Sequence, residues 1–392
     1  METLRFVMTS TFYPPYHLGG DAVHVKYLAE ELARRGHEVH VMFSRDAYRL
    51  KRRNEAESLK HGRVQVHSLE SPYGRLTPLK AYAFGNSSYV LKQYRKLVDE
   101  VNPNVVHHHN ISLLGHGLFQ KLAEYRQMYT AHDYWLACQR NDMMRKGRLC
   151  KERRCKSCVI SSGRPPQFWR SKLNTKELDC VICPSGFMQE QLKGIVNNTT
   201  VLPNFVPDPP EKIVNSGKSD FFLFIGVMEP HKGVMELLDA FTHNKETLLI
   251  IGNGSLANEI TRRIRDENLS PRIQYLGWVR DKWSYVRDAN AVLIPSLWPE
   301  NCPLVALEAM SLGTPVICSD MGGTKEVVGK ISEKLVIPVG DLGTRLATID
   351  RPNIPRDTII RVFQDNFSTK RYLKKYLELA SEGCRGSMNT LK

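Results

Sequence analysis

Glu300 and Glu308 stand eight positions apart in the segment PSLWPENCPLVALEAMSLGTPVICSDMGGTKEVV (295–328). A carboxylate accepts hydrogen bonds on both oxygens, which matches the paired vicinal hydroxyls of a ribose or a hexose. The strand-like AVLIP (291–295) precedes Glu300. Glu308 falls on the helix predicted from Pro303 to Leu312, with Pro in its first turn and Gly313 just past its end. Both carboxylates are therefore expected to face one cleft. The unpaired first-turn amides of that helix add donors at the positive end of a dipole, a setting that suits a diphosphate. The spacing alone also fits a surface loop followed by a capped helix.

Sulfur and imidazole offer further chemistry. Cys138, Cys150, Cys155 and Cys158 share one polar stretch with C-x11-C-x4-C-x2-C spacing, and four sulfurs suit structural zinc or an iron–sulfur cluster. The alternative is four unligated thiols. Cys180, Cys183, Cys302, Cys318 and Cys384 read as structural, and without a secretion signal the nine cysteines are expected to be mostly reduced thiols rather than a disulfide framework. In VVHHHN (105–110) neighbouring side chains of a strand point to opposite faces, so the run reads as a strand end and not a metal site. His109 is the member expected to reach the cleft. His132 follows the strand-like QMYTAH (127–132), where a neutral imidazole can polarise a hydroxyl or a carbonyl. Asp133 is expected to orient it or to cap the next turn.

The elements that must position these groups follow a βαβ rhythm. LRFVM (4–8), VHVMF (39–43), VQVHSL (64–69), NVVHH (104–108), QMYTAH and DCVIC (179–183) are strand candidates in the first half. FFLFIG (221–226), LLIIG (248–252), IQYLG (273–277), AVLIP, PVICS (315–319) and KLVIPVG (334–340) look like fully buried parallel strands in the second. After LRFVM, Asp21 opens a helix carrying Val25, Leu28, Ala29 and Leu32 on one face, which Gly36 stops. The Pro-rich 202–220 has linker composition. The expected domains are 1–205, with a Cys-rich insertion at about 138–160, then 206–368, and a helical tail, 369–392, returning to the first domain. Two doubly wound domains of this kind bind ligands at the C-terminal edges of their sheets.

With 392 residues, 42% hydrophobic and 24% charged, disorder and fibrous repeats are excluded. No signal-peptide pattern opens the chain and no run of about 18 apolar residues occurs, so a cytoplasmic chain that does not span a membrane is expected. Residues 1–210 hold 31 Lys and Arg against 19 Asp and Glu, which places most of the +14 charge there. A nucleic-acid motif is lacking near the dense run at 45–63, so no nucleic-acid partner is expected. An anionic membrane surface ranks first as partner and a solvated surface second, with 80–98 as a second basic, aromatic-bearing segment.

The sequence resembles the GT4 family of retaining glycosyltransferases, which have the GT-B fold of two Rossmann-like domains facing each other across a cleft. The features recur in order: the glycine loop (Gly19, Gly20), GHEV (36–39), the HD pair (His132, Asp133), PSGFMQEQL, LPN, GVMEPHKGV, GNG, LGW and the E-x7-E block. The resemblance implies that Lys232 contacts the donor diphosphate and that Glu308 binds the nucleotide ribose. Glu300 and the amides of Asn301, Cys302, Pro303 and Leu304 would hold the donor sugar, which His132 also contacts. Gly226, Gly252, Gly254, Gly277, Trp278 and Val279 would frame the nucleotide, with Asn204 lining the cleft. Gly19 and Gly20 would approach a phosphate or sugar closely, and a simple turn is the other reading of them. One departure stands out: the family's Arg after the strand-loop glycine is Val227 here.

The implied activity is hexosyl transfer from a nucleotide-diphosphate sugar to a saccharide or lipid-linked acceptor, with retention, in cell-surface polysaccharide or glycolipid assembly. No Asp-x-Asp occurs in the chain, so no catalytic metal or other cofactor is expected and charge on the leaving diphosphate falls to Lys232 and backbone amides. A nucleotide-sugar epimerase of the same fold and a non-catalytic sugar-nucleotide-binding subunit are the alternatives.

Overall fold

The apolar runs form two parallel sheets in the computed structural model, which describes residues 3–51, 61–145, 147–150, 155–164 and 166–384. The chain divides into two units: Met1–Arg145, Cys150–Leu202 and Leu373–Lys392 make the first, Lys146–Leu149 and Pro203–Tyr372 the second.

In the first unit the sheet runs in the order Gln65–Leu69, Glu38–Ser44, Arg5–Thr9, Val105–His108, Gln127–Thr130, Cys180–Cys183, Thr199–Val201. Phe6, Val7 and Met8 are fully buried, as a central strand covered on both faces requires. The helix Gly20–Arg34 buries Val25, Leu28, Ala29 and Leu32 and gives way to Gly36 at φ 91°. The edge strand Thr199–Val201 was not among the expected elements: three residues, two of them Thr, carry no apolar run to read. Of the dense basic run at 45–63, Arg45–Lys51 is helical and 52–60 lies outside the described residues.

The tail helix Thr369–Glu382 brings Tyr376 into the first unit, where its hydroxyl lies 2.9 Å from His107 Nδ1. Past its end Cys384 is bonded to Cys180, with 5.0 Å between the Cα atoms. The other seven cysteines are free thiols, in line with a mostly reduced set, and this pair is the exception. A separation of 204 residues conceals the pairing, which arises only because the helix delivers its C-terminus to the strand Cys180–Cys183.

The second unit's sheet runs Ile273–Gly277, Thr247–Ile251, Phe221–Ile225, Ala291–Ile294, Val316–Ser319, Val336–Ile337. The stretch expected as KLVIPVG keeps only Val336–Ile337 in the sheet, because a tight turn over Glu333–Leu335 precedes it and Pro338, lacking an amide hydrogen, follows. Residues 202–220 carry no helix or strand. Strand order reverses between Phe221–Ile225 and Ala291–Ile294, and the loops leaving these two strands lie at the point where open α/β sheets take ligands.

Those two loops meet at Gly233. Its φ is +71°, and a Cβ there would lie 1.9 Å from the Pro295 carbonyl oxygen, just past the neighbouring strand. Gly233→Ala is expected to cost about 3 kcal/mol, combining left-handed strain with displacement of backbone. Urea unfolding checks this; an unchanged midpoint contradicts the close approach.

Candidate active site

The loop after Ala291–Ile294 turns Glu300 inward. Its amide donates to Trp298 O at 2.9 Å and its carbonyl accepts from Gly323 N at 2.6 Å. A Cβ on Gly322, at φ +64°, would sit 2.3 Å from that same carbonyl oxygen, so only glycine lets the two loops close. The carboxylate, buried, takes Lys232 Nζ at 3.0 Å and the Ser296 hydroxyl on the same oxygen, Oε1. Lys232 comes from the tight turn Pro230–Lys232, and its ammonium lies 5.4 Å from the Trp298 ring centroid. Leu297 N to His231 O, 2.9 Å, fastens the two loops. Burial pushes the Glu300 carboxyl up, but the Lys232 ammonium and the Ser296 bond outweigh it and hold the group below its ordinary value. An ionised carboxylate paired to an ammonium therefore stands ready at neutral pH.

Glu308 lies on the helix Leu304–Ser311, with Pro303 as its extended N-cap rather than a first-turn residue. Its carboxylate is paired to Lys282, and burial raises its proton affinity more than Lys282 lowers it. Cys302 O accepts from Asn204 Nδ2 at 2.9 Å, which fixes the backbone ahead of the helix; Asn301 is buried beside it. Trp298 Nε1, in the Glu300 loop, and Thr324 Oγ1, at the start of the helix Thr324–Val328, are buried without a hydrogen-bond partner, polar atoms of the kind a ligand satisfies. Ser296, Trp298, Thr324 and Lys282 were not singled out as site residues; all but Lys282 lie inside the 295–328 segment, where proximity to Glu300 was the available signal.

The glycines gather along the same sheet edge. Gly252 (φ +135°) donates to Gly277 O at 2.8 Å, a Cβ on it would come within 1.9 Å of Gly226 O, and a Cβ on Gly254 would meet Met228 backbone at 2.5 Å. Three successive strand ends are thus knit without side chains between them. Trp278 stands 74% exposed beyond them, with Val279 and Val227 half-buried.

In the first unit His109 Nδ1 lies 3.0 Å from His132 Nε2, the rings stacked at 20°, and the His24 ring meets His132 edge-on at 5.3 Å. Burial, then the neighbouring imidazoles, hold His109 and His24 well below the ordinary histidine value; burial takes His132 down to about 4. His109 Nε2 is buried without a hydrogen-bond partner. His107 and His108 point to opposite partners: His107 to Tyr376 and Thr130, His108 to Thr9 and Gln127. Asp133 does not touch the His132 ring among its bonds; it caps the next turn through Trp135 N at 3.0 Å and takes Asn141 Nδ2 at 3.3 Å. Gly19 is the extended N-cap of the helix Gly20–Arg34, whose Asp21 accepts from Asn110, next to His109.

The four clustered cysteines are partly exposed free thiols. Burial, followed by the fields of Cys138, Cys158 and Cys155, raises the Cys150 thiol, so the sulfurs act on one another. Among the described residues, however, no group of three or more His, Cys, Asp or Glu side chains is arranged to hold a metal ion, and residues 151–154 lie outside the description.

The buried imidazoles give the first unit a pH signature. His108 and His132 sit near 4 in the fold against 6.5 ordinarily, so the unfolded chain gains protons first as pH falls, and stability is lost from about pH 6.5 towards 4 by up to roughly 3 kcal/mol each. Asp133, raised by burial to about 7, acts with the opposite sign, weakening the fold as pH rises from about 4 to 7. Asp133→Asn should steepen the acid loss when urea unfolding is compared at about pH 7.5 and about pH 5. Equal slopes in wild type and variant contradict the assignment.

Comparison with known proteins agrees with this architecture. The family model Glycosyltransferase Family 4 matches residues 18–208, and Glycosyl transferases group 1 matches residues 207–349. Relatives include an uncharacterised 42.6 kDa protein in the cps region of Klebsiella pneumoniae, 23% identical over 95% of this chain and 100% of that protein. Another is the Escherichia coli UDP-Gal:alpha-D-GlcNAc-diphosphoundecaprenol alpha-1,3-galactosyltransferase, 27% identical over 49% of this chain and 53% of that one. The Salmonella typhimurium lipopolysaccharide 1,6-galactosyltransferase is 31% identical over 38% of this chain and 42% of its own. Among solved structures, the sucrose-phosphate synthase of Thermosynechococcus elongatus has a TM-score of 0.70 at 18% identity, covering 97% of this chain and 98% of that one. Anabaena HepE in complex with UDP has 0.64 at 16%, covering 97% and 100%. With two adjoining family matches and neighbours that share both halves of its architecture, the chain belongs to the GT4-type glycosyltransferases of the GT-B fold and is a transferase enzyme.

Proposed function

We propose that the protein moves a hexosyl group from a nucleotide-diphosphate sugar to a saccharide or lipid-linked acceptor, with retention, in cell-surface polysaccharide or glycolipid synthesis. The observation that carries this reading is the pairing of half-buried Lys232 with the buried Glu300 carboxylate beside the strand-order reversal, with Trp298 Nε1 and Thr324 Oγ1 buried and unpartnered in adjoining segments. Lys232 meets the diphosphate, Glu300 and the backbone of Asn301 to Leu304 hold the sugar, and Glu308 takes the ribose hydroxyls. The acceptor oxygen attacks the anomeric carbon on the face the phosphate leaves. The bond from that carbon to the phosphate oxygen breaks, the bond to the acceptor oxygen forms, and the acceptor proton passes to the departing phosphate oxygen. Lys232 stabilises the charge developing there. His132, neutral at working pH, polarises a sugar hydroxyl. The Escherichia coli galactosyltransferase relative acts, by its name, on a diphosphoundecaprenol-linked sugar, and the Salmonella typhimurium relative is, by its name, a lipopolysaccharide galactosyltransferase.

The first unit works at the inner, anionic face of a membrane. The helix Leu76–Phe84 buries Thr77, Pro78 and Ala81, while Leu76, Leu79 and Phe84 face solvent; Phe84 stacks on the exposed Phe168 at 5.7 Å, and exposed Tyr73 precedes the helix. A helix apolar on both faces normally sits in a core. Residues 71–98 hold Arg75, Lys80, Lys92, Arg95 and Lys96 and no Asp or Glu; Arg95 and Lys96 pair with Asp99, Glu124 and Glu100, which leaves Arg75, Lys80 and Lys92 to complement anionic lipid. Among the described residues no helix is long and apolar enough to cross a membrane.

Lys232→Met and Glu300→Gln should each lower kcat/KM for transfer by about 100-fold or more, with folding retained. Sugar release or transfer from a panel of UDP-, GDP- and ADP-sugars measures this, and epimerised donor with no transfer contradicts it. Leu76→Ser/Leu79→Ser should abolish flotation with vesicles containing phosphatidylglycerol. Wild type floating equally with purely zwitterionic vesicles, or with neither, refutes the membrane assignment.

A further inference from the structure

Glu308 projects from its helix with a side chain 2% exposed, and both of its oxygens accept from a single ammonium, Lys282 Nζ, at 2.6 and 2.7 Å. Donors converging on both oxygens at once are also what a cis-diol presents to a carboxylate. The two partners differ in freedom. Glu308 is fixed on a helix whose neighbours Ala306, Leu307, Ala309 and Met310 are all fully buried. Lys282 directly precedes the helix Trp283–Asp288, keeps 34% of its side chain exposed and holds Nζ 5.6 Å from the Trp283 ring centroid. A four-carbon stem that reaches in from solvent can swing back to it, and an ammonium regains full hydration there. The carboxylate has no such exit.

We propose that Lys282 is a resident stand-in for the ribose diol: it fills the donor positions on Glu308 while the protein is free of ligand, and a nucleotide takes them by displacing it. The inference rests on the reading that Glu308 accepts ribose hydroxyls. Each bond from ribose to Glu308 then replaces a bond from Lys282, so the exchange subtracts from the affinity that the diol would otherwise provide. Without Lys282 the buried carboxylate lacks donors until a ribose arrives, which raises the ligand-free state relative to the complex. Lys282 is in this sense a positioning residue: it keeps Glu308 ionised and aimed, and it sets how much the diol contributes to donor affinity. Neither the E-x7-E spacing nor the glycine-bounded strands point to it, since it lies 26 residues before Glu308 in a polar loop.

The test is calorimetric titration of UDP, GDP and ADP, each beside its 2′-deoxy analogue, into wild type, Lys282→Met and Lys282→Arg at mildly alkaline pH. Lys282→Met is expected to melt at a lower temperature without ligand, yet to bind the preferred ribonucleotide about ten-fold more tightly and to discriminate more sharply against the deoxy analogue. Lys282→Arg, which keeps a cation with two donors, should stay near wild type. A merely structural lysine would lower the melting temperature alone. Unchanged or weaker ribonucleotide binding by Lys282→Met therefore overturns the proposal. Glu308→Gln in the wild-type background tests the underlying reading by itself: a ratio of ribo- to deoxynucleotide affinity unchanged by that substitution removes Glu308 from the ribose, whatever the Lys282 variants do.

Discussion

Two carboxylates, each buried against one lysine, organise the second unit. A carboxylate inside a protein is tolerated only when charge and hydrogen bonds replace the water it gives up, and a pair that loses one partner becomes strongly unfavourable. Lys232 serves Glu300 and Lys282 serves Glu308, and each lysine lies far enough out to exchange its carboxylate for another anion or for water. The loops that carry these groups are held together almost entirely by backbone. Gly233, Gly252 and Gly322 approach carbonyl oxygens so closely that a side chain would displace them. Charges that strain to be paired thus rest on a frame with little room to relax, as preorganised electrostatics requires.

The first unit uses the opposite device. His24, His107, His109 and His132 are collected in one buried patch, with His108 buried among other partners, and all five are held neutral chiefly by burial, with neighbouring rings reinforcing the effect for most of them. A neutral imidazole can donate and accept at once, so His132, whose Nε2 lies 3.0 Å from His109 Nδ1, makes polar contacts without adding charge. Cation chemistry is concentrated in one unit and uncharged hydrogen bonding in the other.

How much of this was legible depended on whether the physical cause was local. Short apolar runs predicted nearly every strand of the two large sheets, those of the second unit mostly closed by Gly or Pro, because burial leaves its mark on each strand separately. Alternation of side chains along VVHHH correctly separated His107 from His108 and left His109 at the strand end. The E-x7-E block was legible as loop plus helix, though Pro303 proved to be a cap. What stayed hidden was relational. The Cys180–Cys384 bond, the Lys282–Glu308 pair and the pairing of Thr199–Val201 with Cys180–Cys183 each join segments with no mutual signature in sequence. The role of Asp133 was open between orienting His132 and capping a turn; Trp135 and Asn141 take up its oxygens and decide for the cap.

The most direct measurement of the central claim is a crystal structure with an intact nucleotide-diphosphate sugar bound, preserved by a non-transferable analogue. The account predicts Lys232 Nζ within hydrogen-bond distance of a diphosphate oxygen, Glu300 against the sugar, and the ribose hydroxyls on Glu308. A donor bound elsewhere, with the Lys232–Glu300 and Lys282–Glu308 pairs both undisturbed, would contradict it.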